Sequence, residues 1–323
     1  MRALVVPSDS PPRLELTDEY PRPMPDEGEV LVRVHQAGIC ATDLEIVQGY
    51  MQFHGIPGHE FVGTVVAGPA RWVGQRVVAE INCACGVCPV CQRGQPNHCP
   101  RRTVLGIAGR NGAFAEYVAV PEANCRIVPA CLSDEEAVFV EPLAAAAHVL
   151  DVQPIVPTTR VAVMGSGRLG LLVAQVLALQ GCELVVWGRN PRSLALAREY
   201  GVDARAVESC PWEACYDVVV ECTGSPDGLP MALALCRPQG TIVLKSTCHD
   251  RAPLDLAPVV VNEVRIVGNR CGDFSRALHL LATRRVRVRE LITARYPLAR
   301  GREAFAAAAR PENTKVLLEV GVT

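Results

Sequence analysis

The sequence predicts an α/β protein of two domains, a β-rich module followed by a doubly wound parallel sheet. A chain of 323 residues is longer than one hydrophobic core usually organises. Before about residue 145, short β-type segments are interrupted by glycine and proline. After that point, apolar strands alternate with amphipathic helices, which is the pattern of βαβ units.

The individual elements follow from local pattern. The β-rich module should place strands at residues 30–34, 61–66, 76–79 and 115–120. The parallel sheet should use residues 160–164, 183–187, 217–221, 241–245 and 264–268, which are short apolar runs rich in β-branched residues. One helix between them is well delimited, because Asn190 can cap it, Pro191 suits its first turn and Gly201 follows its end.

Composition and charge exclude several classes of protein. With 49% hydrophobic and 20% charged residues, the chain is neither disordered nor a coiled coil. A formal charge of -2 gives no field that would hold a nucleic acid. No apolar run approaches the roughly eighteen residues that span a membrane, and the first residues do not resemble a secretory signal. We therefore expect a cytoplasmic enzyme whose 15 cysteines are metal ligands and buried thiols.

Four cysteines form one candidate metal site. Cys85, Cys88, Cys91 and Cys99 have the spacing C-x2-C-x2-C-x7-C. Thiolates two residues apart on a turning backbone can converge on one ion, and four of them close a tetrahedral zinc site of structural character. Free loop thiols are the alternative. His98 is a possible substitute ligand, whereas Cys83 lies outside the regular spacing.

A second candidate site combines a thiol, an imidazole and a carboxylate. Cys40 lies in GICATD, and His59 and Glu60 lie in GHE. Such a mixed set suits zinc with one coordination position left for water or substrate. Taken alone, these residues could equally be a core thiol and surface polar groups.

A glycine-rich turn predicts a dinucleotide site. The strand RVAVM leads into G-x-G-x-x-G and then into a helix, the context in which this motif binds pyrophosphate at the helix N-terminus. Gly165 would permit the turn, Gly167 would let the backbone approach the phosphates, and Gly170 would let helix and strand pack closely. A structural turn without a ligand is the alternative. The predicted segment consists of Gly165, Ser166, Gly167, Arg168, Leu169 and Gly170.

The end of the next strand bears on the choice of cofactor. Where an acidic residue would grip the adenosine ribose, the sequence has Gly188 followed by Arg189. Glycine leaves room for a 2′-phosphate and a guanidinium can bind it, so we expect NADP(H) in preference to NAD(H). Asn190 and Arg192 complete the predicted segment, and Arg192 is a second phosphate candidate. Alternatively, Arg189 stacks on adenine or points to solvent while NAD binds.

The order of these motifs resembles a known family. GICATD, GHEFVGTV, the four-cysteine lobe, GAFAEYV and VEPLAAAAH follow one another as in the zinc-dependent medium-chain alcohol and polyol dehydrogenases, sorbitol and threonine dehydrogenases included. The resemblance covers essentially the whole chain. It implies a GroES-like catalytic domain formed by residues 1–144 and 273–323, and a Rossmann cofactor-binding domain formed by residues 145–272.

The resemblance also implies roles for single residues. Two zinc ions per chain would bind, one at the four cysteines and a catalytic one at Cys40, His59 and Glu60, with Glu141 as a further carboxylate that ligates directly or through water. Thr42 would accept the substrate proton, and Asp43 would orient the imidazole of His59. At the outer end of the proton relay many relatives have histidine, whereas this chain has Glu45. A turn hydroxyl and an exposed acid are the alternatives for Thr42 and Asp43.

Further cofactor contacts come from the same resemblance. Ordinary capping or surface roles are the alternative for each of them, and the set is Thr223, Gly224, Asn269, Arg270 and Lys315.

The expected reaction is reversible oxidation of a small alcohol or polyol to an aldehyde or ketone. The alternatives are a zinc-free reductase of activated C=C bonds and a non-catalytic cofactor-binding protein. The resemblance implies a homodimer or homotetramer that pairs through the edge strand of the Rossmann sheet.

Overall fold

The computed structural model describes residues 1–9, 11–247 and 255–321. It divides the chain into two compact units, Met1–Glu141 with Leu291–Thr323, and Pro142–Glu290. The predicted fold class is confirmed: a β-rich unit is followed by a parallel sheet with helices between its strands. None of the helices in the described ranges combines the length and apolar character that a membrane crossing requires.

The first 141 residues contribute ten strands to the first unit. These are β1 Ala3–Val5, β2 Glu15–Thr17, β3 Glu29–Gly38, β4 Glu60–Ala67, β5 Arg76–Ala79, β6 Asn82–Cys83, β7 Thr103–Leu105, β8 Gly109–Arg110, β9 Tyr117–Pro121 and β10 Cys125–Ile127. The helices of this part are short, and they are α1 Ala41–Val47, α2 Pro89–Gln92, α3 Asp134–Ala137 and α4 Val140–Ala147, the last of which continues into the second unit.

The second unit contains a six-stranded parallel sheet. Its strands are β11 Arg160–Met164, β12 Glu183–Gly188, β13 Asp203–Ala206, β14 Tyr216–Glu221, β15 Cys236–Leu244 and β16 Arg265–Gly268. Its helices are α5 Val149–Val152, α6 Arg168–Ala178, α7 Pro191–Glu199, α8 Gly228–Leu235, α9 Ala257–Val261 and α10 Phe274–Ala282. The spatial order β13-β12-β11-β14-β15-β16 is that of a doubly wound dinucleotide fold, in which ligands bind at the carboxyl ends of the strands.

The chain then returns to the first unit with β17 Ile292–Pro297, α11 Gly301–Ala308 and β18 Lys315–Glu319. β18 inserts beside β3, so the largest sheet runs β10-β5-β4-β3-β18-β17, with β9 also paired to β3. Helix α11 covers this unit's core, where Phe305 meets Phe114 edge to face at 5.7 Å between ring centroids. Residues far apart in sequence thus close one hydrophobic core.

The return to the first unit comes later than the predicted residue 273. Helix α10 belongs to the second unit, and the structure places the change at Leu291. The reason is local packing: Arg276 pairs with Asp151 at 2.8 Å, and the Gln175 side chain bonds both the N–H and the carbonyl of Arg287. Sequence pattern alone did not reveal these contacts.

Three predicted strands also have different limits, and the one expected at 30–34 extends to Gly38 as β3. The strand expected at 115–120 begins at Tyr117, because Ala115 is taken into an isolated bridge with Ala3. The strand expected at 241–245 begins earlier, at Cys236, which pairs with Tyr216 before a register shift. The helix predicted after Asn190 is confirmed as α7, and the Asn190 side chain accepts hydrogen bonds from the backbone of Arg192 and Ser193.

The turn between β11 and α6 depends on glycine at two positions for different reasons. Gly165 has φ +104°, a conformation that favours glycine. A Cβ at Gly170 would lie 1.9 Å from the carbonyl oxygen of Gly165, so helix and strand could not approach as they do. Gly167, in contrast, has φ -74°, and a Cβ there would meet no heavy atom of the described residues within 4 Å.

Gly170→Ala should therefore destabilise the second unit, whereas Gly167→Ala should not. Overpacking against backbone costs about 1–3 kcal/mol, which corresponds to a drop of about 2–4 °C in melting temperature per kcal/mol for a domain of this size. Thermal unfolding of both variants beside the wild type measures the difference. Equal melting temperatures for the two variants would contradict the packing argument.

Candidate metal centres and dinucleotide site

Cys40, His59 and Glu60 converge in the first unit. Their ligand atoms all lie within 4.8 Å of one another. The antiparallel pairing of β3 and β4 sets Gly38 opposite Glu60, and Cys40 caps α1 just after β3 ends. His59 is 3% exposed and Glu60 is 1% exposed, so the three groups form a nearly enclosed site. Two regions separated by about twenty residues are thus brought to one point by a single strand pair.

Asp43 lies behind this group and is fully buried. Its carboxylate accepts hydrogen bonds from the backbone N–H groups of Cys40 at 2.8 Å and Gly58 at 3.2 Å. His59 Nδ1 faces Asp43 Oδ1 at 3.2 Å, within ion-pair distance although not aligned as a hydrogen bond. With Nδ1 turned toward the carboxylate, Nε2 is the nitrogen available to a metal.

Opposing influences set the pKa of His59. Burial lowers it, but the negative charge of Asp43 and the neighbouring Cys40 raise it, and the net result is a pKa well above the ordinary value. A cation held by the same residues would oppose this effect and favour the neutral imidazole that metal ligation needs.

The Glu60 carboxylate has two different surroundings. Oε2 accepts a short hydrogen bond from Lys315 Nζ, and both side chains are buried. Oε1 is buried and has no hydrogen-bond partner among the described residues, which leaves a carboxylate oxygen available to a metal. Lys315, expected as a cofactor contact, is thus placed against a candidate metal ligand, with its ammonium also 5.6 Å from the centre of the Phe139 ring.

The remaining predicted residues of this site surround the group. Thr42 and Glu45 share α1 with Asp43, and Thr42 Oγ1 is 3.9 Å from Cys40 Sγ. Glu141 begins the first turn of α4 and lies outside the group of Cys40, His59 and Glu60.

Cys85, Cys88, Cys91 and Cys99 converge as the spacing predicts. Four of their sulfur–sulfur distances are 3.5, 3.5, 3.8 and 4.0 Å. Zinc–sulfur bonds of about 2.3 Å in a tetrahedron place the sulfurs about 3.8 Å apart, so the geometry fits a zinc ion. The backbone N–H of Val87 lowers the pKa of Cys85 to about 6, which favours the ligating thiolate, and Arg101 Nη2 lies 3.2 Å from the same sulfur.

The two neighbouring candidates do not join this cluster. Cys83 is buried, its thiol contacts the carbonyl of Ile81 at 3.8 Å, and burial raises its pKa. His98 is in a single helical turn before Cys99 and is not part of the ligand group. The regular spacing of the four cysteines therefore predicts the ligand group correctly, without Cys83 or His98.

Apart from Lys315, the predicted cofactor residues lie at or near the carboxyl ends of the parallel strands. Gly165 and Ser166 follow β11, Gly167 caps α6, and Arg168, Leu169 and Gly170 form its first turn. Thr223 bonds the carboxylate of Glu221 through its N–H at 2.7 Å and its hydroxyl at 2.6 Å, and the N–H of Gly224 bonds the hydroxyl of Ser246. The fold thus gathers segments from several strands along one edge of the sheet.

The segment after β12 requires a correction. Gly188 does not leave open space, because a Cβ there would lie 2.1 Å from Ser166 Oγ and 2.5 Å from Ser166 Cβ. The Asn190 side chain is occupied in capping α7. Arg189 and Arg192 are exposed, and neither guanidinium forms an ion pair with any residue that the structure describes. The two arginines remain available to an anion.

Two charged residues at strand ends have positions that sequence reasoning missed. Lys245 is 8% exposed, and its ammonium bonds Asn269 Oδ1, the carbonyl of Ala145 at 2.7 Å and the carbonyl of Arg270 at 3.2 Å. Asn269 also donates to the carbonyl of His148, so its side chain ties protein segments together. Glu221 holds the turn at Thr223. A charged residue ending an apolar strand, as in VVVE and TIVLK, is the signal that could have found both.

Comparisons with known proteins agree with this architecture. Residues 26–130 match the family of alcohol dehydrogenase GroES-like domains, and residues 169–283 match the zinc-binding dehydrogenase family. The chain is 30% identical to D-arabitol-phosphate dehydrogenase of Enterococcus avium over 92% of this chain and 91% of that protein. It is 32% identical to L-threonine 3-dehydrogenase of Saccharopolyspora erythraea over 99% of both.

Solved structures show the same fold with different cofactors. An alcohol dehydrogenase from Escherichia coli CFT073 in complex with NADH superposes with a TM-score of 0.88 at 27% identity, covering 99% of both chains. A zinc-binding dehydrogenase from Sinorhizobium meliloti 1021 bound to NADP superposes with a TM-score of 0.87 at 28% identity, again covering 99% of both. The chain belongs to the zinc-binding medium-chain dehydrogenase family, whose members include alcohol and polyol dehydrogenases.

Proposed function

We propose that this chain is a zinc-dependent dehydrogenase that transfers hydride between a small alcohol or polyol and NADP(H). The observation that carries this proposal is the convergence of Cys40, His59 and Glu60 in a buried group with Asp43 behind the imidazole. A thiolate, an imidazole and a carboxylate suit zinc with a position left for substrate. A zinc-free C=C reductase and a non-catalytic binding protein would have no use for this arrangement.

The chain's own residues supply the proton chemistry. When bound, zinc would act as a Lewis acid that lowers the pKa of an alcohol oxygen. Thr42, next to Cys40, would accept the proton that the alcohol loses, and Glu45 on the same helix would pass it outward in place of the histidine expected there. Asp43 would keep His59 oriented throughout. Glu141 would assist as a further carboxylate when ligands exchange.

The preference for NADP(H) rests on charge. Relatives of this fold bind either NADH or NADP, so the choice has to come from residues of this chain. No acidic side chain occupies position 188 to accept from a ribose diol, and Arg189 and Arg192 are exposed beside it. A guanidinium binds a 2′-phosphate through two charge-assisted hydrogen bonds.

We also propose that the chain forms a homodimer or homotetramer through its parallel sheet. Strand β16 ends the row of strands, and an uncovered edge invites pairing with another chain. Beside it, α9 and the residue before it expose Leu256 at 57%, Val260 at 75% and Val261 at 78%. Apolar side chains this exposed on one short helix are typical of an interface.

Cys40→Ser should separate the two proposed zinc sites from each other. Because the site around Cys40 is held by Asp43 and the strand pair, this variant should stay folded but lose one zinc and at least about a hundredfold in kcat, as removal of a catalytic group commonly does. Cys88→Ser should instead impair folding, because metal binding there contributes folding free energy. Zinc content, melting temperature and turnover are measured for both. Near-normal turnover in Cys40→Ser would refute the catalytic assignment.

Thr42→Val tests the proton acceptor with little change of shape. Without the hydroxyl, kcat should fall by about 10²–10⁴-fold, the usual contribution of a positioned proton-transfer group. Thr42→Ser keeps the hydroxyl and should retain most activity. Turnover across a pH series, with alcohol and aldehyde as substrates, distinguishes the roles. If both variants lose the same activity, Thr42 is a structural residue of α1.

Arg189→Ala tests the cofactor preference. Loss of a charge-assisted hydrogen bond of roughly 1.5–3 kcal/mol should weaken NADPH about ten- to a hundredfold and hardly change NADH. The measurement is kcat/KM for both cofactors in the wild type, Arg189→Ala and Arg192→Ala, the last of which tests the second phosphate candidate. A wild type that favours NADH about tenfold would contradict the preference. Equal losses for both cofactors would mean that Arg189 contacts another part of the dinucleotide.

A further inference from the structure

Positions 166 and 188 are next to each other although 22 residues separate them in the sequence. Strands β11 and β12 pair in parallel with Met164 beside Trp187, and the N–H of Gly165 bonds the carbonyl of Trp187 at 2.8 Å. Gly188, one residue after Trp187, and Ser166, two residues after Met164, therefore face the same small volume. Gly188 and Ser166 share that volume between them.

Only one of the two positions can carry a side chain in this backbone arrangement. A Cβ at 188 would lie 2.1 Å from Ser166 Oγ and 2.5 Å from Ser166 Cβ, with Leu194 Cδ2 at 3.3 Å. Rotation of the serine about χ1 can move Oγ away, but it cannot move Cβ. Relief would need a shift of the backbone that the β11–β12 pairing holds in place.

Ser166 also has an unused polar group. The residue is 5% exposed, and its hydroxyl makes no hydrogen bond to any residue in the described ranges. The hydroxyl is therefore available to a ligand or to water. This one lies just before the N-terminus of α6, an eleven-residue helix whose first N–H groups favour an anion.

We propose that Ser166 is a specificity-determining residue of the cofactor site, acting together with Gly188. The Ser166 side chain fills the volume that an aspartate at 188 would need, and so excludes the carboxylate that selects a free ribose diol. Its hydroxyl is left to hydrogen-bond the adenosine ribose or its 2′-phosphate beside Arg189. This inference deepens the proposed function and rests on it, since it assumes that the glycine turn binds a nicotinamide dinucleotide.

The consequence is that Gly188→Asp alone will not convert the cofactor preference. The new side chain collides with Ser166, so this variant should lose affinity for NADPH and NADH together and melt at least about 4 °C lower, as overpacking in a domain of this size does. Ser166→Gly/Gly188→Asp should recover most of that melting temperature and bind NADH about tenfold or more tightly than NADPH.

A matched variant separates steric relief from loss of the hydroxyl. Ser166→Ala/Gly188→Asp removes Oγ but keeps the Cβ that lies 2.5 Å from the new side chain, so it should stay as defective as Gly188→Asp. Gly188→Ala, alone and with Ser166→Gly, repeats the steric test with a smaller group if the aspartate variants do not fold. Zinc-loaded protein is used throughout, with melting temperatures and dissociation constants for NADPH and NADH.

Two results would overturn the inference. One is a Gly188→Asp variant that keeps the wild-type melting temperature and turns to NADH by itself. The other is equal behaviour of the glycine and alanine double variants. Either is distinct from failure of the proposed cofactor preference, which is read from the wild type alone. A wild type that favours NADH, with the steric coupling intact, would refute the preference and keep the pairing of Ser166 with Gly188.

Discussion

The buried carboxylate of Asp43 is the group on which the candidate metal site of the first unit depends. It is fully enclosed and receives hydrogen bonds from the backbone of Cys40 and of Gly58, which precedes His59. One carboxylate therefore fixes the helix start that carries the thiol and the loop that carries the imidazole. A buried carboxylate is costly to leave unpaired, so these contacts are strongly coupled to each other. The candidate ligands Cys40 and His59 are therefore held in position by the protein itself.

The second unit depends on a different constraint, which is close approach of the backbone. The β11–α6 turn brings the Gly165 carbonyl to a distance from Gly170 that no side chain would permit. The same closeness brings Ser166, just after β11, against Gly188 at the end of β12. The glycines of this turn therefore meet different requirements, as the motif predicts. A side chain at Gly170 would collide with the backbone, whereas the surroundings of Gly167 are open.

Each unit contains a buried lysine whose ammonium has fixed partners. Lys315 and Glu60 form an enclosed ion pair, and the lysine bonds one oxygen of the carboxylate while the other has no hydrogen-bond partner among the described residues. Lys245 has different partners, since its ammonium bonds the carbonyl of Ala145 in α4 and, just after β16, the Asn269 side chain and the carbonyl of Arg270. The chain's two lysines thus occupy interior positions, whereas its many arginines are mostly on the surface. The interior ones have fixed partners, and exposed Arg189 and Arg192 do not.

The sequence by itself determined the fold class, the four-cysteine cluster and the trio of Cys40, His59 and Glu60. The spacing of metal ligands and of glycines indicates the local backbone geometry, and hydrophobic periodicity indicates which face of a helix or strand is buried. Tertiary structure alone decided that Lys315 meets Glu60 across 255 residues, that Ser166 fills the space beside Gly188, and that α10 stays with the second unit. Those outcomes depend on which strands become neighbours and how closely they pack. A local sequence pattern cannot predict the distance between two such residues, because that distance depends on the packing of segments that are far apart in the sequence.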